Sequence, residues 1–376
     1  MTVPVNFPHI EKTNLLGLNR QDMEAFFAEL GEKAFRASQL IKWIHQLNVT
    51  DFDQMTNLSK SLRAQLKEKA CIQGLNVEVD QLSKDGTRKW LLALPDGNRI
   101  ETVFIPEDDR GTLCISSQVG CALDCSFCST ARQGFSRNLS VAEIISQVWL
   151  AAHLLQEEKK PGRKITNVVL MGMGEPLLNF DNVMKAIDVM LDDFAYGLSK
   201  RRVTVSTAGV VPAMDRLADR HDVQLAISLH ATRDELRDDL VPINKKYKLQ
   251  ELISACKRFM AKRSPRSRLT IEYVMLADVN DSRQDAEELI ALLDGISVLI
   301  NLIPFNPFPN SGYKTSSNNA VRRFQDVLMQ AGLTTVIRKT RGEDIDAACG
   351  QLVGKVEDKS RREARFVKPR LGMSSS

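Results

Sequence analysis

Three thiols crowd into the eight residues Cys121-Ala-Leu-Asp-Cys125-Ser-Phe-Cys128, and one tight loop of that length can aim all of them at one metal centre. A four-iron cluster held by three thiolates keeps one iron without a protein ligand, which a small molecule carrying an amine and a carboxylate can chelate. The x3 and x2 gaps are also tolerated by a structural zinc ion with Cys114 as fourth ligand, or by a plain electron-transfer cluster. Seven cysteines, four of them between Cys114 and Cys128, do not make a secreted disulfide framework. Metal or redox chemistry in a reducing compartment, the cytoplasm, suits them better. Further along, Gly174-Glu175-Pro176 offers a turn and a carboxylate, by themselves an ordinary loop.

The chain that must position these groups has 376 residues, 43% hydrophobic and 26% charged. That is apolar material enough for a full core, and it excludes wholesale disorder. Lysine and arginine exceed aspartate and glutamate by 51 to 47, a net +4 that permits a polyanionic partner without requiring one. No run approaches the roughly 18 apolar residues of a membrane helix. The N-terminus lacks the basic start and apolar stretch of a signal peptide, so no membrane association is expected.

Between Asn14 and Gln73 apolar residues recur at three- and four-residue spacing, which predicts a helical domain over 1–74. Residues 75–108 alternate like strands, with Asp85-Gly86 and Asp96-Gly97 as hairpin turns, and read as a β-meander linker. From 109 to 345 strand-like runs such as TLCISS, ITNVVLMG and QLAISLH alternate with helical ones. This α/β series predicts parallel strands, right-handed crossovers and a partial (β/α) barrel whose active residues lie just past strand ends. A doubly wound open sheet gives much the same string. Residues 346–376 read as a mobile loop carrying Cys349, given freedom by the neighbouring Gly342 and Gly350, followed by a basic tail from Lys355 to Arg370.

With a β/α series behind it, the cysteine loop resembles the signature of the radical S-adenosylmethionine superfamily, whose Gly-Glu-Pro type turn after the second strand matches Gly174-Glu175-Pro176. The strings VGCALDCSFCSTARQGFSRNLS, LMGMGEPLLN, VTVSTAGVVPAM, AISLHA, LIPFNPFP and RKTRGEDIDAACGQL resemble the bacterial RlmN family, in order and over nearly the whole chain. Enzymes of that family methylate C2 of adenosine in 23S rRNA, at the peptidyl-transferase centre, and in tRNA, 3′ of the anticodon. The resemblance implies a [4Fe-4S] cluster on Cys121, Cys125 and Cys128. It implies S-adenosylmethionine contacts from Gly174, Glu175, Ser206, Ser228, Leu229, His230 and Asn306, two cofactor molecules per turnover, and a flavodoxin-type one-electron reductant.

Adenine C2 is an electron-poor carbon that cannot attack a sulfonium methyl. The family's route methylates a cysteine first, implied here to be Cys349, takes hydrogen from that methyl with a 5′-deoxyadenosyl radical, and adds the carbon radical to C2. Glu101 is then implied as the proton acceptor, and Cys114 as the thiol that releases product through a transient disulfide with Cys349. Taken alone, Glu101 reads as a solvent-facing strand carboxylate, and Cys349 and Cys114 as small core thiols. Cys71 and Cys256, in helical contexts, read as packing.

A target base must be unstacked before C2 is reached, so positive surface should ring the barrel mouth. Lys200-Arg201-Arg202, the set Arg338, Lys339 and Arg341, and the basic tail are the candidates. The stretch GEKAFRASQLIKWIHQ resembles the family's accessory RNA-binding domain, with Phe35 and Trp43 expected in its core and a monomer expected overall. Two rivals stand: a Cfr-type enzyme methylating C8 of the same adenosine, and a non-catalytic zinc-stabilised RNA-binding protein.

Overall fold

The computed structural model describes residues 12–156, 164–309, 311–348 and 350–352. These fall into two compact units, the first drawn from Met1–Leu75, Ser140–Lys159 and Lys185–Leu198. Its helices Arg20–Glu29 and Lys60–Lys69 begin where side chains satisfy otherwise orphaned amides. Asn19 Oδ1 accepts from the Asp22 N–H at 2.9 Å and Ser59 Oγ from the Leu62 N–H at 3.1 Å. Helix Phe35–His45 buries Ala37, Leu40, Ile41 and Ile44. Phe35 lies off that stripe and is 52% exposed, contrary to its expected core position, with the Arg36 guanidinium 4.8 Å over its ring. Trp43 is half-buried and donates to Asn57.

The N-terminal helices do not close this unit alone. Helix Val141–Gln156, which the sequence places as a barrel crossover, belongs to it, and Trp149 Nε1 donates to the Ile44 carbonyl at 3.0 Å. Ser140 and Glu143 start that helix with reciprocal hydrogen bonds of 2.8 and 3.2 Å. Cys71 lies on the two-residue strand Ala70–Cys71, paired with Thr13–Asn14, rather than on a helix.

The second unit is built on a ten-stranded sheet: β1 (Asn76–Leu82), β2 (Arg88–Ala93), β3 (Arg99–Pro106), β4 (Gly111–Cys114), β5 (Asn167–Leu170), β6 (Val203–Thr207), β7 (Gln224–Ser228), β8 (Leu269–Met275), β9 (Val298–Pro304) and β10 (Thr334–Ile337). Neighbours follow chain order from β1 to β10. The β1 to β4 pairings are antiparallel, and those from β4 to β10 are parallel. A doubly wound sheet must reverse its strand order somewhere. This one never does, so its parallel crossovers all step the same way across the sheet, as in a partial β/α barrel with β10 and β1 at its edges. The meander at the start is hydrogen-bonded into the same sheet, with Val103 of β3 opposite Cys114 of β4. Cys256 is fully buried in helix Leu249–Ala261. Among the described residues no helix is long and apolar enough to cross a membrane.

Candidate active site

The cysteine loop is carried on a small hairpin, Gln118–Gly120 against Phe135–Asn138, that follows β4. The Cys121 N–H donates to the Gly134 carbonyl at 2.8 Å and closes the stem. Beyond it Leu123, Cys125 and Phe127 pack on an apolar cluster that includes Ala208, Leu240, Val241 and Phe305. Burial pushes the Cys125 thiol well above its ordinary range, and the nearby Cys121 and Cys128 thiols push the same way. Such a trio ionises together only when a cation compensates it, which fits an electron-deficient metal group. Among the described residues no three His, Cys, Asp or Glu side chains converge into a single-ion cage. Thiolates of a four-iron cluster each hold a different iron and need no such convergence.

All three cysteines line a cavity of about 180 Å³ together with Gly174, Glu175, Ser206, Ser228, His230 and Asn306. Gly174 is required at its position: φ is +98°, and a Cβ there would sit 2.4 Å from Gln118 Cβ. Gln118 Oε1 accepts from the Glu175 N–H at 2.9 Å, tying the turn to the hairpin that carries the cysteines. The Glu175 carboxylate accepts from the Leu177 N–H at 3.1 Å and the Ala208 N–H at 2.8 Å. Burial raises it to about 7, against the pull of these amides. A buried carboxylate so poised suits an ammonium partner.

His230 adopts a left-handed φ of 64° just after β7. Its Nδ1 accepts from the Val274 N–H at 3.0 Å, which places the ring proton on Nε2. Burial, reinforced by the charge of Arg237, lowers it to about 3, so the ring stays neutral. Phe127 meets the imidazole edge-on at 4.6 Å. Leu229 differs from the other expected cofactor contacts. Its side chain is fully buried and does not line the cavity, its N–H donates to the Glu272 carbonyl at 3.0 Å, and its carbonyl accepts from Arg237.

Arg237, in helix Asp234–Leu240, is fully buried. Its guanidinium donates to the carbonyls of Leu229, Ala208 and Ser228 at 2.9, 2.7 and 3.1 Å and to Asn244 Oδ1 at 2.9 Å. One cation thus staples the chain beyond β6 to the end of β7, where the cavity lies. The charge-rich string ELRDDL gives no sign of it.

Glu101 is buried rather than solvent-facing, 3.0 Å from Lys89 Nζ. On β3, Glu101 and Val103 point to one face, and Val103 lies opposite Cys114, so Glu101 and Cys114 are diagonal neighbours about 7–8 Å apart on that face. Lys89 also donates to the Asp346 carbonyl at 3.3 Å. The C-terminal segment is anchored further by Gly342 N–H to Asp85 at 3.1 Å and by Ser83 Oγ to Asp344. On its far side the Ser129 N–H, next to Cys128, donates to the Gly350 carbonyl at 2.8 Å. Cys349 itself lies outside the described residues, as does the basic tail from Lys355.

Lys200-Arg201-Arg202 does not ring the mouth. It sits at the start of β6, about 16 Å along the strand from Ser206 at the cavity end. Arg338, just past β10, does line the cavity.

A β/α series in unbroken strand order, with a three-cysteine loop after its first parallel strand and a Gly-Glu-Pro turn after its second, defines a radical S-adenosylmethionine protein. The model of the radical SAM superfamily matches residues 115–293, and that of the ribosomal RNA large subunit methyltransferase N-terminal domain matches residues 13–72. The chain is 59% identical to the dual-specificity RNA methyltransferase RlmN of Marinobacter nauticus, over 95% of this chain and 97% of that one. It also matches the crystal structure of a radical SAM methyltransferase from Sphaerobacter thermophilus at 42% identity and a TM-score of 0.84, covering 90% of this chain and 99% of that one. The chain belongs to the RlmN family.

Proposed function

We propose that this enzyme installs one methyl group on C2 of adenosine in 23S rRNA, at the peptidyl-transferase centre, and in tRNA, 3′ of the anticodon. The observation that carries this reading is the convergence of three elements: the cysteine-lined cavity, the Glu101–Cys114 face, and a C-terminal segment hydrogen-bonded to both through Asp346 and Gly350. Cys121, Cys125 and Cys128 would hold a [4Fe-4S] cluster, and Glu175, Ser206, Ser228, His230 and Asn306 the S-adenosylmethionine. When bound, these groups supply a methyl from one cofactor molecule and a hydrogen-abstracting 5′-deoxyadenosyl radical from the second.

The chain's own residues do the rest. Cys349 takes the methyl as a thioether, and its methylene carbon becomes bonded to C2. Glu101, held by Lys89, takes the C2 proton, and the adduct gives up its one unpaired electron to the iron–sulfur group held by the three cysteines, leaving a closed-shell thioether. Cys114 then forms an S–S bond to Cys349 as the sulfur–methylene bond breaks, the electron pair passing to the base, which collects a proton to complete the methyl group. A flavodoxin-type protein supplies single electrons, and the protein works as a monomer in the cytoplasm, where thiols are returned to the reduced state.

Product nucleosides from reconstituted enzyme and RNA test this by mass spectrometry. The expected product is 2-methyladenosine; 8-methyladenosine overturns the assignment of position. A Cys114→Ala variant should accumulate a protein–RNA adduct through Cys349, and free methylated RNA at the normal rate would contradict the release step.

A further inference from the structure

The interior of a closed β/α barrel is ordinarily filled by branched apolar side chains. Here β8 places Glu272 inward, 5% exposed, as a lining residue of the cavity. Asn301 Nδ2, from β9, donates to its Oε1 at 3.1 Å, whereas Oε2 is buried with no hydrogen-bond partner. An orphaned, buried carboxylate oxygen costs the unliganded fold stability. Its position calls for a donor that arrives with a ligand.

The neighbours say what kind of donor. Glu272 is the register partner of Ser228 on β7, and Ser228 Oγ lies 3.5 Å from Ser206 Oγ on β6. That separation is too long for a good O–H···O bond, so both hydroxyls retain capacity toward the cavity. Three oxygens in a row across adjacent strands match a vicinal diol, whose hydroxyls each donate and accept. An ammonium is already matched by Glu175 on the cysteine side.

We propose that Glu272 is a cofactor-binding residue whose Oε2 accepts a hydrogen bond from the ribose diol of the S-adenosyl nucleoside, beside Ser206 and Ser228. This rests on the cofactor reading above. Burial raises the Glu272 carboxyl, with Arg338 opposing, consistent with a group waiting for a donor.

The test is calorimetric titration of wild-type and Glu272→Gln enzyme, each with its cluster reconstituted, using S-adenosylhomocysteine and its 2′-deoxy and 3′-deoxy analogues. In the variant, Asn301 keeps the amide oxygen engaged and an NH₂ group replaces the cavity-facing acceptor. The substitution should weaken S-adenosylhomocysteine about tenfold or more, as expected for one charge-assisted hydrogen bond. It should change the affinity of one deoxy analogue less than about twofold, the double-cycle signature of a lost contact. Without ligand, the variant should unfold at the same or a higher temperature than wild type. Equal weakening of all three ligands, unchanged affinity for S-adenosylhomocysteine, or a less stable unliganded variant overturns the proposal. Wild-type protein that binds none of the ligands would refute the cofactor reading itself instead.

Discussion

Arg237 offers a sharp test of what holds the cavity together. Arg237→Met keeps much of the side chain's length and removes all four hydrogen bonds, leaving the carbonyls of Ala208, Ser228 and Leu229 and the Asn244 amide oxygen without that donor. Bonds from a charged donor are worth about 1.5–3 kcal/mol each. Relief of the guanidinium's own desolvation, which lowers Arg237 to about 10, subtracts from the total. Taking about 1 kcal/mol net per bond, the loss is about 4 kcal/mol, concentrated at the ends of β6 and β7. Because the two units need not unfold together, the measurement is amide hydrogen exchange of Val205, Ser206, Ala226 and Ile227, converted to opening free energies. Arg237→Lys, which retains a charge but lacks the planar fork, should recover only part of the loss. Opening free energies within about 1 kcal/mol of wild type in Arg237→Met, or a lysine variant no better than methionine, would refute the stapling role.

Other outcomes follow from the same geometry. Burial lowers His45, in the helical unit, to about 3 from 6.5, so the unfolded chain binds the proton first; stability is complete above about 6.5 and falls as pH drops, by about 2 kcal/mol at pH 5. His45→Gln should flatten that dependence in urea titrations between pH 7 and pH 5, and an unchanged slope would count against it. Gly174→Ala adds a Cβ 2.4 Å from Gln118 Cβ at a left-handed φ, and should cost at least about 1–2 kcal/mol of local stability together with S-adenosylmethionine affinity, read by calorimetry. Lys89→Met removes the partner 3.0 Å from Glu101 and should slow RNA methylation about tenfold or more, while RNA-independent formation of 5′-deoxyadenosine continues; an equal fall in both contradicts a positioning role.

What the sequence reveals about this site depends on whether the signal is local. The three cysteines and Gly174-Glu175 stand out as motifs because each set lies within one continuous turn, although their spacing alone suits zinc or an ordinary loop as well and only the family resemblance assigns them roles. The sense of the barrel does not stand out, since strand order is a property of the whole sheet and the same β/α string serves a doubly wound fold. Arg237 and Glu272 look like ordinary surface charges in ELRDDL and LTIEYVML, and only neighbouring strands bury them. Glu101 reads as solvent-facing from its own strand because its partner Lys89 arrives from the neighbouring strand β2 and is itself tied to the Asp346 carbonyl, far along the chain. Helix Val141–Gln156 is apolar almost all round, which marks it as buried without saying against which unit.

The segment after Ile337 leaves the edge strand β10 and meets the turn between β1 and β2. It is moored at Asp85 through Gly342, at Ser83 through Asp344, at Lys89 through Asp346 and at Ser129 through Gly350. A chain tied down at so many points works as a ruler: its contour length sets where each intervening residue can reach. Insertions elsewhere in surface loops can bulge outward at small cost, but one residue added between Asp346 and Gly350 would lengthen the path between the moorings at Lys89 and Ser129 and could not satisfy both without a bulge.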